Sequence, residues 1–350
     1  MFRLRDEARN KARLTKADSH KKYYMELKKY VSRALEREKK AYFDLFINSN
    51  LRRPKIMWRH IKENIGINAK KQPLLTEDLA NPNALNNHFL DVPGNKLLLS
   101  TLTYYEFHRH SDASFSFKPV NEATVLRNIQ ELKSQAAGID DISLDMLKLT
   151  LPATLSNITY IINLSFATGT FPSLWRNALV RPLPKIDNPQ DLKDLRPISI
   201  LPCLSKVLEK IVHKQLMDYI EKENILPDRQ SGFRKRKGTT TAVTDVMDDI
   251  LCAQDEGKGT VLVLLDYSRA FDTINISLLL SKLTYYGLSP STINWFNSYL
   301  SNRTQRVSVA MEDGSNRLSD CKTVTKGVPQ GSILGPLLFI LYIVPTLSSK

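Results

Sequence analysis

Cysteine is scarce in this chain of 350 residues: Cys203, Cys252 and Cys321 stand far apart without paired spacing, which speaks against a disulfide framework and against a cysteine-built zinc site. The six histidines form no metal-ligand pattern either, and the closest pair, His108 and His110, reads as surface loop. Long apolar runs are missing. The longest, Ile333 to Pro345, contains Gly335 and Pro336 and falls short of the roughly 20 residues that cross a bilayer. It predicts a buried helix, and no membrane partner is expected. Arg3, Arg5, Asp6 and Glu7 interrupt any apolar core of a signal peptide, so the expectation is an intracellular chain without disulfide partners. Negative charge is short at one end: residues 1–70 hold 20 Lys plus Arg against 8 Asp plus Glu, a net +12, which leaves 30 against 28, or +2, for residues 71–350. Such a basic segment suits a polyanion, nucleic acid being the usual one, although a charged helical face can also be simply solvated.

What is present is enough for at least one sizeable core, with 42% hydrophobic residues over this length. In the basic segment Tyr24, Leu27, Val31 and Leu35 recur at three- and four-residue steps with Lys and Arg on the other faces, predicting an amphipathic helix. Trp58, Ile61 and Ile65 continue an apolar face after Pro54, so a second short helix is expected, and residues 1–66 form a basic helical connector. Residues 67–117 show no clear period and predict a linker of low order. From residue 118 the texture is globular. Helices are expected over Asn121–Leu132, Leu151–Phe166 and Leu204–Glu223, with a turn at Gly138–Asp141. Strands are expected at Ala178–Lys185, where prolines point to a sheet edge, at Leu195–Leu201, and in a hairpin of Gln305–Ala310 with Cys321–Thr325 around Asp313-Gly314.

Within that part, GKGTVLVLLDYSRAFDTIN at 257–275 stands out. Val261 to Leu265 is an unbroken apolar run ending on Asp266, the pattern of a strand buried on both faces with a carboxylate at its C-terminal end. A carboxylate there is a natural ligand for a hard cation such as Mg2+, and equally a turn or cap aspartate. Lys185 and Arg196, on the two arms of a strand-turn-strand, could clamp a triphosphate or form a solvated surface pair. The glycine-bounded loop Gln230–Gly238 carries Arg234, Lys235, Arg236 and Lys237 with Phe233, and could track a phosphate backbone. Asp248-Asp249 imitates a polymerase aspartate pair, but Val243, Val246, Met247, Ile250 and Leu251 keep a helical period that puts both acids on the wet face, so it is rejected as a metal site.

The motifs fall in a specific order: AAGIDDIS at 136–143, GTFPSLWRNALVRPLPK at 169–185, DLRPISILPCLSKVLEKIV at 194–212, QSGFRKRKGTTTA at 230–242, LLDYSRAFDTI at 264–274 and KGVPQGSILGPLLF at 326–339. Together they resemble the reverse transcriptase of non-long-terminal-repeat (LINE-like) retrotransposons, particularly the arthropod jockey-like group, over about residues 118–350. Group II intron and telomerase-type polymerases share the fold and chemistry, but AGIDDIS, GTFP and SRAFD resemble the LINE-like wording more closely. The resemblance implies an α/β (α+β) right-hand polymerase with fingers and a partial palm over 118–350, acting as an RNA-directed DNA polymerase on an RNA template, a DNA primer and deoxynucleoside triphosphates. It implies nucleus and cytoplasm as locations.

Carried over by position, Asp266 matches the first catalytic aspartate holding two Mg2+ ions. Phe271 matches the ring under the sugar that excludes a 2'-hydroxyl, Lys185 and Arg196 match the triphosphate-holding residues of the fingers, and Gln330 matches a residue near the nascent base pair. Asp272 is also usual in the motif, and capping of a helix beginning near Ile274 explains it equally well. Two-metal phosphoryl transfer needs carboxylates from two places. The family's second source, an aromatic-x-Asp-Asp hairpin, does not occur after Gly331. The chain is therefore expected to be truncated before it and inactive by itself, the alternative being a non-catalytic nucleic-acid-binding remnant.

Overall fold

Two helices form the described part of the basic N-terminal segment in the computed structural model, which describes residues 2–50, 75, 79–93, 99–311 and 315–344. The chain divides into two compact units, Met1–Lys71 and Gln72–Lys350. In the first, α1 (Phe2–Thr15) packs against α2 (Asp18–Asn50), burying Ala8 and Val31. Tyr24 and Leu27 are half-buried on the face the periodicity predicts, whereas Leu35 is exposed and Ala34 turns inward instead. Lys16, between the helices, takes the left-handed φ of +53° that the reversal needs. The helix expected around Trp58, Ile61 and Ile65 lies outside the described residues.

The second unit opens with α3 (Pro82–Leu90) and α4 (Leu99–Phe107), which corrects the expectation of a low-order linker over 67–117. Asn81 caps α3 by accepting the N–H groups of Asn83 and Ala84 at 3.0 and 3.1 Å, and Pro82 occupies the first turn, where its missing N–H is harmless. With nine residues and Leu85 and Phe89 as its buried apolar side chains, α3 is too short to display a period. Remote partners hold it. The buried Asn86 side chain donates to Ser319 Oγ and the Asp320 carbonyl, both at 3.0 Å, and accepts from Gln305 Nε2 at 2.9 Å.

Next come α5 (Glu122–Gln130) and, after a turn closed by Asp141 N–H on the Gly138 carbonyl at 3.1 Å, α6 (Leu144–Thr168). Pro152 removes one ladder bond inside α6, yet the helix begins at Leu144, before the expected start at Leu151. Burial of Leu144, Met146 and Leu147 carries the helix through the earlier turns. Gly169 ends it at φ +62°, where a Cβ would also lie 3.0 Å from the Ser291 carbonyl oxygen.

Strand β1 (Asn177–Pro184) pairs antiparallel with β2 (Leu195–Ile200) over Leu179–Pro184 and parallel with β3 (Arg303–Ala310) over Asn177–Val180. β1 thus lies between β2 and β3, with Leu179 and Val180 paired on both sides, and is not the edge strand that the prolines suggest. Pro182 and Pro184 lie beyond the β3 pairing, where no ladder N–H is needed. The return of the expected hairpin comes as two short strands antiparallel to β3, β4 (Asn316–Leu318) and β5 (Lys322–Val324).

The remaining helices are α7 (Cys203–Lys222), α8 (Thr239–Asp255), α9 (Ile276–Tyr285), α10 (Pro290–Leu300) and α11 (Gly335–Ile343). All but α8 contribute to one core with α5 and α6, in which Ile162, Phe171, Leu208, Trp295, Phe296, Tyr299 and Leu338 are almost fully buried. The Trp295 indole N–H is satisfied by Ser165 Oγ at 2.9 Å. A second, smaller cluster of Leu85, Phe89, Val180, Leu195, Val307 and Val309 seals α3 onto the sheet. Lys282 donates to the Tyr342 and Val344 carbonyls at the end of α11 at 2.6 and 3.2 Å, and burial lowers its pKa to about 8. All three cysteines are free, and no described helix is long and apolar enough to cross a membrane.

Two expectations fail together. Residues 261–265 form no strand, and Val261 and Leu265 are each 89% exposed. Strand β3 is already flanked by β1, β4 and β5, and among the described residues no strand pairs with 261–265. Without a ladder partner an apolar run has neither hydrogen bonds nor a surface to bury against. Likewise α8 buries none of its residues, and Val243, Met247 and Leu251, expected to face a core, are exposed. Asp249 pairs with Arg229, in keeping with the rejection of a metal role. The Asn86 network makes the α3 correction testable: Asn86→Ala leaves buried partners in the sheet unsatisfied and should destabilise the second unit by about 2 kcal/mol, measured as a lower denaturant midpoint at constant slope.

Candidate functional site

The loop Gly327–Gly331 is fastened on both sides by backbone hydrogen bonds. Gly327 N–H donates to the Ile274 carbonyl and Val328 N–H to the Phe271 carbonyl, each at 2.9 Å, and on the other side Ser199 N–H of β2 donates to the Gln330 carbonyl at 2.7 Å. Glycine is required at both ends. At Gly327 (φ +79°) a Cβ would stand 2.7 Å from Asp272 Cα, and at Gly331 (φ +121°) 2.4 Å from the Ser199 carbonyl oxygen. Beyond the loop, the fully buried Glu209 carboxylate accepts the N–H groups of Ile333 and Leu334 at 2.7 and 3.3 Å and the Ser205 hydroxyl at 2.8 Å.

This fastening closes a cavity of about 390 Å³ between β2, the C-terminal end of α3 and the turn before α9. Lys185, Lys193, Arg196 and Arg269 bring four cationic side chains to it, with His88, Phe271, Asp272 and Gln330. Gln330 Nε2 donates to both Asp272 carboxylate oxygens at 3.0 Å. Burial nonetheless raises the Asp272 pKa, a shift that the Gln330 hydrogen bond and the charges of Arg269 and Lys185 only partly offset. The cavity is therefore lined by four cationic side chains and by one carboxylate whose pKa is raised. A narrower space of about 110 Å³ under residues 323–330 shares Asp272 and Gln330 as walls.

Of the residues singled out from sequence, Lys185, Arg196, Phe271 and Gln330 line this one cavity. Asp266 does not line it: it is exposed, and its Oδ1 accepts the neighbouring Tyr267 N–H at 2.9 Å. In the basic loop Arg234 is held by Glu221 in a fork of 2.9 and 2.8 Å and Lys237 by the Asp228 carbonyl. Lys235 and Arg236 are the two that face solvent. Asp272 is not a helix cap: Asn275 caps α9, accepting Leu278 N–H at 3.0 Å. Sequence reasoning missed Lys193, Arg269 and His88. Arg269 sits between Asp266 and Phe271 in the motif, so its position was legible, but His88 lies in the segment read as linker and carried no signal.

With this geometry in hand, residues 183–349 match the family model described as reverse transcriptase (RNA-dependent DNA polymerase). The chain carries a reverse transcriptase domain. Its relatives narrow the class. The chain is 31% identical over 237 residues to the probable RNA-directed DNA polymerase from transposon BS of Drosophila melanogaster, covering 65% of this chain and 25% of that protein. It is 32% identical over 233 residues to the corresponding protein from transposon X-element of the same species, covering 65% and 24%. To the RNA-directed DNA polymerase from mobile element jockey of that fly it is 26% identical over 363 residues, covering 98% of this chain and 38% of that one. The domain is thus homologous to the RNA-directed DNA polymerases of non-LTR retrotransposons, and the chain spans about a quarter of the length of the first two relatives.

Magnesium, implied by that family, needs a cluster of carboxylate donors. Among the described residues no group of three or more His, Cys, Asp or Glu side chains could hold a metal ion, and Asp266 is exposed with its Oδ1 on the Tyr267 N–H. This donor set does not fit a two-ion centre.

The raised pKa of Asp272 has a thermodynamic consequence. Its contribution to stability is fully present below the ordinary carboxylate pKa of about 4 and is lost as pH rises through the higher folded-state value. Asp272→Asn removes that loss while keeping an oxygen for Gln330. The unfolding free energy of the unsubstituted chain relative to this variant should fall as pH rises from about 4; a difference independent of pH would contradict the assignment.

Proposed function

We propose that the chain forms the nucleotide-binding part of a non-LTR retrotransposon RNA-directed DNA polymerase, taking a deoxynucleoside triphosphate in the cavity of about 390 Å³. The observation that carries this reading is the convergence of Lys185, Arg196, Phe271 and Gln330, from four separate motifs, on that one cavity. Lys185 follows the last residue of β1 and Arg196 pairs with Leu183 across the β1–β2 ladder, so a point charge and a planar fork meet the phosphates from adjoining strands. The Phe271 ring is braced by Phe339 and Phe233 at centroid distances of 5.3 and 6.3 Å, which suits it to hold a fixed surface under the sugar. Gln330 has committed its amide nitrogen to Asp272 and keeps its oxygen for a ligand.

RNA template and DNA primer are the proposed macromolecular partners, met by the basic segment 1–70 and by Lys235 and Arg236. Chemistry is a separate matter. Asp266 would be one magnesium ligand of the family's pair, and the absence of a three-donor group among the described residues favours a second reading, in which this chain binds nucleotide and nucleic acid without joining them.

Two experiments test these readings. Phe271→Ala should narrow the preference for dATP over ATP by about tenfold, equivalent to ~1.4 kcal/mol, in equilibrium binding to the purified chain; unchanged discrimination contradicts the role of the ring. Primer extension on an RNA template with Mg2+ should show no product, and template-dependent incorporation abolished by Asp266→Ala would sink the non-catalytic reading.

A further inference from the structure

One wall of the cavity, the C-terminal end of α3 with His88 and Phe89, lies outside both the motifs and the family match. Arg269 stands in the left-handed backbone region at φ +52°, uncommon for a residue with a Cβ and a mark of a conformation imposed by its surroundings. Those surroundings belong to the C-terminal end of α3 and the residues after it. The guanidinium donates through Nη1 to the Asp91 carbonyl at 2.6 Å and through Nη2 to His88 Nε2 at 2.9 Å. For His88 to accept there, its proton must reside on Nδ1. The ring is kept neutral: burial lowers its pKa, and the charge of Arg269 lowers it further. Two of the five guanidinium donors are thereby used for holding and three remain. Arg269 and His88 line the same cavity as Lys185, Lys193 and Arg196, and α3 itself is fixed to the sheet through Asn86 and the Leu85–Phe89 cluster.

We propose that Arg269, seated by His88 and the Asp91 carbonyl, is a phosphate-binding residue of this pocket, so that residues 82–93, upstream of the matched 183–349, form part of the nucleotide site. The inference rests on the pocket being a nucleotide site and adds to it a third element facing the anion, after Lys185 and Arg196. A neutral acceptor is the right partner for such a residue. A carboxylate in place of His88 would neutralise the guanidinium, whereas an imidazole nitrogen and a carbonyl oxygen orient it and leave its charge for the ligand. The rigid helix behind His88 keeps the orientation from relaxing when the cavity is empty.

The test is equilibrium binding of inorganic tripolyphosphate to the full chain in EDTA, at several salt concentrations. Arg269→Gln should weaken binding by about tenfold and flatten the salt dependence, and His88→Ala should weaken it by a smaller factor. His88→Gln, whose amide oxygen can accept from the same guanidinium, should restore it. In the unsubstituted chain tripolyphosphate should slow amide exchange over 88–93, a readout that does not depend on any variant folding. If Lys185→Gln weakens binding while Arg269→Gln changes only the unfolding midpoint, or if binding leaves exchange over 88–93 unchanged, this inference falls and the nucleotide pocket stands. If the unsubstituted chain binds no tripolyphosphate, both fall.

Discussion

The buried carboxylate of Glu209 is the interaction on which the rest of the second unit's chemistry depends. It lies in the core side of α7 with no exposure, where an unpaired charge would be strongly unfavourable. Burial raises its pKa, and the Ser205 hydroxyl, the nearby Arg303 guanidinium and two backbone N–H groups oppose that shift. Those N–H groups belong to Ile333 and Leu334 at the N-terminal end of α11, where a helix offers unpaired donors and partial positive charge to an anion. The carboxylate thus locks α11 to α7 and sets where the preceding loop must run. Gln330 arrives beside Asp272 because its chain is fixed at Glu209 on one side and at Phe271 and Ile274 on the other.

The pocket that results is arranged by charge more than by shape. Lys185, Lys193, Arg196 and Arg269 face it, and Asp272, the carboxylate that could cancel part of that field, is half-buried, hydrogen-bonded by Gln330 and shifted toward its neutral form. Arg269 is in turn held by neutral groups. Lys185, which donates to the Lys193 carbonyl, and Arg269 are oriented by neutral groups that leave their charge in place, as a site for a multiply charged phosphate requires, whereas Lys193 is paired with Asp191. The apolar side is supplied by Phe271, whose ring is packed against Phe339 and Phe233 and is therefore not free to reorient.

Much of this was legible in the chain because local rules and tertiary needs agree. The helices at α5 and α7 and the later turns of α6 follow from apolar residues and from boundary residues such as Asn121 and Gly169, whereas the start of α6, capped by Ser143, lies before the expected helix. The β1–β2 arms follow from alternating runs around a polar turn. Lys185, Arg196, Phe271 and Gln330, which share one cavity, could be singled out only because several motifs stood in register, since each alone has a simpler explanation. Where local and tertiary levels part, the reading fails. Helix α3 is defined by Asn86 reaching Gln305, Ser319 and Asp320, more than two hundred positions away, and nothing local announces that. Val261–Leu265 has the composition of a buried strand, but composition creates only the demand for a partner. In the described fold none meets it, and the run stays open to solvent together with the apolar face of α8.

The sequence by itself determined the class of the protein, the order of most of its elements, the basic character of its first helices and which cationic, aromatic and amide side chains stand in the motifs. These are matters of residue type and spacing, and they survive whatever the chain does in space. Only the tertiary structure decided that four of those side chains share one cavity, that Asp266 is not among them, that Asp272 answers to Gln330 rather than to a helix end, and that His88 and Arg269 join the wall. Each of these depends on which segments approach one another, and that is set by long-range packing and by the satisfaction of buried polar groups such as Glu209 and Asn86.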